Sequence, residues 1–181
     1  MARAKLDQTS LEKAALDYLG HYASSAENLR RVLMRRVARA GADKDEADAA
    51  RRAIDGIVAR LLAHKYIDDG TYAAQLAASL HRRGMSAAQI RSRLAEKGVA
   101  VEPMKAALAS LGAAAESELA AACALVRRRR IGPCRPAASR GSFRERDLGV
   151  LARAGFGLDL ARRVLAVRDE DALERLAREG A

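Results

Sequence analysis

The side chains that most often carry catalysis are few and scattered in this chain of 181 residues. Its histidines, His21, His64 and His81, lie far apart and share no motif with a serine or a cysteine. Cys123 and Cys134 are the two cysteines, and neither has metal-ligating partners at useful spacing. An enzyme site normally shows a nucleophile, a base and a group that holds the transition state. The sequence therefore predicts no catalytic residue, no cofactor and no metal.

The adjacent carboxylates Asp68 and Asp69 allow two interpretations. Two neighbouring carboxylates could begin a metal site, but without further oxygen ligands such a site is weak. Aspartate is also strongly preferred at helix N-termini, where its side chain accepts a hydrogen bond from an exposed backbone amide. We therefore expect Asp69 or Asp68 to cap a helix that begins near Thr71.

Positive charge is the other chemical feature of the chain. Lysine and arginine exceed aspartate and glutamate by 10, which favours an anionic partner such as a nucleic acid or an acidic protein surface. The sharpest run is Arg127–Arg130, and its four side chains cannot share one helix face because successive residues turn by about 100°. Such a run is either a solvated helix end favoured by the helix dipole or part of a basic stripe that binds phosphate.

We refer to the arginines and the lysine that could form this stripe as the predicted contact set. Its members are Arg30, Arg31, Arg35, Arg82, Arg83, Arg91, Arg93, Lys97, Arg127, Arg128, Arg129, Arg130 and Arg144. The chain has only four tyrosines and two phenylalanines, so recognition of a single strand by base stacking is not expected.

Local signals indicate an all-α fold, because no segment shows the alternation of a strand. Capping-box patterns at residues 9–12, 24–27, 86–89 and 142–145 predict four helix starts. Two prolines and two glycines interrupt residues 131–141, which predicts a mobile basic loop.

Three glycines recur at intervals of 57 residues, namely Gly41, Gly98 and Gly155. Each follows a predicted helix, at the place where a left-handed backbone turn favours glycine. Apolar residues four positions earlier repeat with them, at Val37, Leu94 and Leu151. The pattern predicts about nine helices in three tandem three-helix repeats, although chance periodicity in a chain rich in Ala, Leu and Arg is the alternative.

The predicted organisation is a flexible tail over residues 1–9, followed by repeats over 10–69, 70–115 and 116–181, with the basic loop at 131–141 inside the last. No apolar run approaches the roughly 18 to 20 residues of a membrane span. The charged N-terminal residues are not followed by the apolar core of an export signal. We therefore expect a monomeric cytoplasmic protein, and the small number of cysteines fits a reducing compartment.

Four segments carry a family resemblance. They are SxxNLRxxL over residues 25–33, YIDDxxYA over 66–73, RGxSxxQIxxxLxxKGV over 83–99, and DLxxLxxxGF over 147–156. Together they resemble the RecX regulatory proteins of bacteria, and the central segments are the most specific. The chain departs from the family at Asn28, where an acidic residue is usual, and in residues 37–53, which are longer and richer in Ala and Arg than in shorter relatives.

The resemblance implies an elongated, curved array of three-helix repeats without catalytic residues. It also implies binding to the recombinase RecA and to its filaments on single-stranded DNA, with inhibition of strand exchange, ATP hydrolysis and the coprotease activity that triggers the SOS response. Direct contact with DNA stays open. From the residues alone, the alternative is a DNA-binding regulator of helix-turn-helix type, in which a capped helix pair presents a recognition helix to the major groove.

Overall fold

A computed structural model describes residues 7–112 and 114–179. Within those ranges the chain has no β-strand, and the all-α prediction is confirmed. The helices are α1 Gln8–His21, α2 Ala26–Arg39, α3 Lys44–Ala63, α4 Asp69–Arg82, α5 Ala87–Glu96, α6 Val101–Ala109, α7 Ala114–Arg129, α8 Arg140–Arg153, α9 Leu158–Leu165 and α10 Glu170–Glu179. The described part thus holds one helix more than the nine expected. The addition is α10, whose first turn is capped by Asp169 through the backbone amide of Ala172 at 2.8 Å.

Two predicted helix starts are displaced by one or two residues. The cap of α1 is Asp7 rather than Thr9, since the Asp7 carboxylate accepts the amide of Ser10 at 2.8 Å. A carboxylate is a stronger acceptor than a hydroxyl at the positive end of a helix, which explains the earlier start. The cap of α2 is Ser25, which accepts the amide of Asn28 at 3.1 Å.

The other starts differ in how complete their caps are. A full capping box opens α3, because Asp43 and Glu46 each accept the other's backbone amide, at 2.9 and 3.0 Å. Ser86 caps α5 as predicted, accepting the amide of Gln89 at 3.3 Å. The cap predicted at Ser142 is wrong, because α8 already begins at Arg140.

The segment predicted as a mobile loop over residues 131–141 is largely helical. Short 3-10 turns span Gly132–Cys134 and Ala137–Ser139, and the second runs directly into α8. The prolines and glycines prevent a continuous α-helix, as expected, but they are compatible with single tight turns.

The three glycines with 57-residue spacing lie directly beyond helix ends. Gly41, Gly98 and Gly155 have φ values of +70°, +71° and +80°. Each donates its N–H to the carbonyl three residues earlier. The ends of α2, α5 and α8 and the starts of α3, α6 and α9 recur with the same spacing. These positions agree with the tandem repeats, which stay a prediction.

The described residues group into two compact units. The first contains the residues up to Ala73 together with Ala95–Val101, and the second contains Ala74–Leu94 together with the residues from Glu102 onward. The first unit is built on buried side chains of α1, α2 and α3, including Leu11, Leu29, Leu33, Ile54 and Ile57. The second is built on buried side chains of α7, α8, α9 and α10, including Val126, Leu151, Val164 and Leu173, together with Phe156 between α8 and α9.

Among the helices of the described ranges, none combines the length and the apolar character that crossing a membrane requires.

Candidate interface for an anionic partner

The two adjacent carboxylates satisfy the amides of two different helices. Asp68 accepts the amide of Thr71 at 2.9 Å, which places it at the start of α4, and this backbone hydrogen bond holds the pKa of Asp68 below its usual value. Asp69 accepts the amide of Ala26, the first residue of α2, at 2.8 Å. Each carboxylate therefore stabilises a helix N-terminus. In the described part of the chain, no group of three or more His, Cys, Asp or Glu side chains could hold a metal.

His81 and Cys123 occupy structural positions. The His81 ring lies 2.8 Å from the Ser117 carbonyl and 2.9 Å from its hydroxyl, linking α4 to α7. Cys123 is buried. Burial, together with the nearby carboxylate of Glu170, raises the pKa of Cys134 to about 11. That thiol is protonated at neutral pH and is a poor nucleophile, because the thiolate is the reactive form.

Two members of the predicted contact set are engaged within the first unit. Arg30 lies 3.0 Å from the carboxylate of Asp55 and 3.6 Å from that of Glu27. Arg31 lies 3.1 Å from Glu27 and also donates to the carbonyl of Glu96 at 3.0 Å. These arginines connect α2 to α3 and to the end of α5.

Most of the other members are solvent-exposed on helix surfaces. Arg127 lies 4.0 Å from the carboxylate of Glu174, at the limit of an ion pair. Arg130 follows α7 with a left-handed backbone, at φ +52°. The remaining exposed members outside the cleft described next are Arg35, Arg82, Arg83, Arg91, Arg93, Lys97 and Arg144.

Arg128 and Arg129 line a cleft of about 520 Å³ that lies entirely within the second unit. Three further arginines line it, Arg135 after α7 and Arg146 and Arg153 on α8. We call these five residues and the space between them the arginine cleft. Its remaining lining is Gly84, Met85, Gln89, Leu125, Ile131, Asp147, Val150 and Ala154.

Gly84 brings the turn between α4 and α5 against the backbone of α7. A Cβ atom at this position would lie 2.4 Å from the Leu125 nitrogen and 2.8 Å from the Ala121 carbonyl oxygen. Its φ of +75° also favours glycine. Nearby, the Glu118 side chain on α7 accepts the amide of Ala87 at the start of α5. These contacts hold one side of the arginine cleft.

A buried carboxylate holds the other side. Asp147 on α8 is 1% exposed, and its Oδ2 accepts the amide of Gly132 at 2.9 Å and the Arg135 Nε at 2.8 Å. Its Oδ1 accepts the second arm of the same guanidinium at 2.9 Å. The guanidinium also stacks on Phe143, 4.4 Å from the ring centroid.

The surroundings of Asp147 keep it ionised. Burial on its own would raise the pKa of this carboxyl, but the hydrogen bonds from Arg135 and Gly132 and the charges of Arg135 and Arg146 outweigh that effect and hold the pKa below its usual value. The charge of Arg135 is therefore neutralised inside the protein. Arg135 therefore forms part of the wall of the cleft but is not available as an unpaired cation.

Arg140 tethers the same segment from its far end. Its guanidinium donates to the carbonyls of Arg135 and Pro133, both at 2.9 Å, and to that of Arg168. The arginines of the predicted basic loop that make the most hydrogen bonds are thus structural. Outward charge comes instead from the helices on either side.

The predicted contact set contains Arg128 and Arg129 but neither Arg146 nor Arg153, although Arg146 follows the basic run closely in the sequence. These two lie seven residues apart on α8, a spacing that puts them on one helix face. That periodicity was a usable signal for their common orientation. Their meeting with the end of α7 depends on tertiary packing.

No protein-family model matches the chain. Over 166 residues the chain is 38% identical to the regulatory protein RecX of Myxococcus xanthus (strain DK1622), covering 89% of this chain and 87% of that protein. The chain belongs to the RecX family. A crystal structure of regulatory protein RecX has the same fold, with a TM-score of 0.57 at 20% identity over 87% of this chain and 70% of that one. The resemblance seen in the four sequence segments is thereby confirmed, and the RecX family is one of regulatory proteins.

Proposed function

We propose that this RecX-family chain is a non-enzymatic regulator that binds RecA and RecA filaments on single-stranded DNA. In this proposal it inhibits strand exchange, ATP hydrolysis and coprotease activity, and so modulates recombinational repair and the SOS response. The observation that carries the proposal is the 38% identity to regulatory protein RecX across 89% of the chain.

The second unit supports a binding role. A cleft lined by exposed arginines suits an anionic partner, because guanidinium groups bind carboxylates and phosphates through paired hydrogen bonds. Cys134 is protonated and His81 is engaged with Ser117, so neither is poised as a nucleophile or a base. Regulation by occupancy of a filament surface needs no such group.

The decisive experiment measures ATP hydrolysis by RecA on saturating single-stranded DNA while the purified chain is added up to an equal ratio with RecA. We expect hydrolysis to slow at or below that ratio. Repeating the titration with several-fold more DNA separates the mechanisms, because inhibition that disappears with excess DNA reflects sequestration of the DNA. Unchanged hydrolysis across the whole range would refute the proposal.

The helix-turn-helix alternative predicts a different result. A major-groove reader shows a reproducible sequence preference on duplex DNA. Binding that is strongly salt-dependent and indifferent to sequence would argue against it. A clear duplex preference without any effect on RecA would favour it over the regulator.

A further inference from the structure

We propose that the arginine cleft is a binding site for the phosphate backbone of a single strand of nucleic acid, held by Arg128, Arg129, Arg146 and Arg153. The proposal assigns a ligand class to the surface invoked above and deepens that function. It can nevertheless be tested on the chain alone, without any recombinase.

The positive charge of the cleft is only partly neutralised by acidic side chains. Among the described residues, none of these four arginines forms a salt bridge, whereas Arg135 in the same cleft is paired with Asp147 at 2.8 Å. All four are exposed. The helix dipole accounts for Arg128 and Arg129 at the end of α7 and for Arg153 at the end of α8. It does not account for Arg146, which lies in the middle of α8 and lines the same space.

The side chains that line the cleft offer mainly hydrogen-bond donors. Both carboxylate oxygens of Asp147 are occupied by Arg135 and Gly132, and the Gln89 amide donates to the carbonyl of Arg153 at 3.1 Å. The free groups are therefore mainly guanidinium donors. A phosphodiester backbone presents acceptors only, whereas a peptide would also bring N–H groups that need acceptors. The lining favours phosphate over an acidic peptide.

The cleft is small, and its lining has no aromatic side chain. The volume of about 520 Å³ is that of a small-molecule pocket and has room for one or two nucleotide units. No tyrosine or phenylalanine is among the lining residues, so bases have no ring on which to stack. We expect contacts to the backbone and little dependence on base identity.

The test compares the unmodified chain with its variants by the salt dependence of their affinity for a fluorescein-labelled oligothymidylate. Each phosphate neutralised on a single strand contributes about 0.7 to the slope of log affinity against log salt. The double variant Arg146→Gln/Arg153→Gln should lower that slope by roughly 1.4. The matched variant Arg51→Gln/Arg52→Gln removes two exposed charges from α3 in the first unit and should leave the slope nearly unchanged. Replacement of Arg146 and Arg153 by lysine should restore most of the slope, because charge is retained.

The other outcomes overturn the proposal. An equal decrease of the salt slope in both glutamine variants would show that the oligonucleotide is attracted by the net charge of +10 and not by the cleft. A cleft variant that binds oligothymidylate normally but loses a labelled polyglutamate peptide would assign the cleft to an acidic protein segment. Absence of oligothymidylate binding by the unmodified chain would also refute it, and would leave the proposed action on RecA untouched.

Discussion

At the scale of single residues, Asp147 is the least expected side chain in the core. It lies 57 residues after Ile90 and 114 after Leu33, both of which are fully buried apolar residues at the corresponding helix positions. A carboxylate at such a site is tolerated because three donor atoms from Arg135 and Gly132 satisfy it. Asp147 gives up the apolar packing of an aliphatic side chain and instead binds the segment that follows α7 through hydrogen bonds.

Replacing Asp147 by Asn should destabilise the protein most at neutral pH. The folded-state pKa of Asp147 lies below the unfolded value of about 3.9. Its ionic contribution is therefore complete above that value and is lost as pH falls through the folded pKa. At pH 7 we expect a loss of roughly 3 kcal/mol, at the lower end for breaking a buried pair because Arg135 retains some access to water.

Urea unfolding at pH 7 and near pH 3 would measure the effect. The difference in free energy of unfolding between the unmodified chain and Asp147→Asn should be smaller at the lower pH. Asp159→Asn is the control, since its carboxylate is exposed and lies 4.0 Å from Arg162, and a surface pair of that kind contributes about 0–1 kcal/mol. A difference that is the same at both pH values would contradict the ionic role of Asp147.

At the scale of elements, helix beginnings and helix ends make recurrent contacts. The start of α2 touches the end of α5, where Ser25 donates its hydroxyl to the Lys97 carbonyl. The start of α5 touches the end of α8, where Gln89 donates to the Arg153 carbonyl. In each unit, a helix N-terminus thus satisfies a carbonyl that a helix C-terminus leaves without a partner.

Substitution of Gly98 and of Gly41 distinguishes two ways in which a side chain at a helix end destabilises the fold, namely backbone strain and steric contact. Both have φ near +70°, so alanine at either position costs about 1–2 kcal/mol of backbone strain. At Gly41 the added Cβ meets nothing within 4 Å, whereas at Gly98 it would lie 2.5 Å from Cγ of Glu27. Gly98→Ala should therefore lower the melting temperature clearly more than Gly41→Ala in calorimetry. Equal decreases in melting temperature would mean that the Glu27 side chain on α2 moves away from the added Cβ at Gly98 without a free-energy cost.

At the scale of the whole molecule, the chain contains two compact units whose boundary cuts through α4 and α5. The predicted repeat boundaries at residues 70 and 116 stay predictions. Charged surface occurs in both units. In the first, Arg30 and Arg31 pair with acidic neighbours, and in the second, the arginine cleft leaves four guanidinium groups without salt bridges among the described residues.

Charge reversal should show which basic surface acts on RecA. We expect Arg128→Glu/Arg129→Glu and Arg82→Glu/Arg83→Glu to raise the concentration for half-inhibition of RecA ATP hydrolysis by about tenfold or more, equivalent to about 1.4 kcal/mol. Arg51→Glu/Arg52→Glu changes net charge equally and should have a small effect. Circular dichroism checks that helicity is kept. Unchanged inhibition in both test variants would show that these arginines are solvated surface only.

The sequence by itself determined the features that depend on near neighbours along the chain. Helix class, the cap at Ser86, the capping role of Asp68 and the left-handed ends at Gly41, Gly98 and Gly155 follow from backbone preferences within a few residues. The family motifs are equally local. The caps lie at Asp7 and Ser25 rather than at Thr9 and Ser24 because neighbouring polar residues compete for the same amides. Ser142 lies inside α8, whose start has no side-chain cap.

Only the tertiary structure decided which charges are available. Arg135 and Arg140 belong to the most basic stretch of the sequence, yet Asp147 and backbone carbonyls bind them. Arg146 and Arg153 join Arg128 because Gly84 allows the α4–α5 turn to press on α7 while Asp147 ties the following segment to α8. Charge pairing depends on distances between residues remote in sequence, and those distances exist only after the helices have packed.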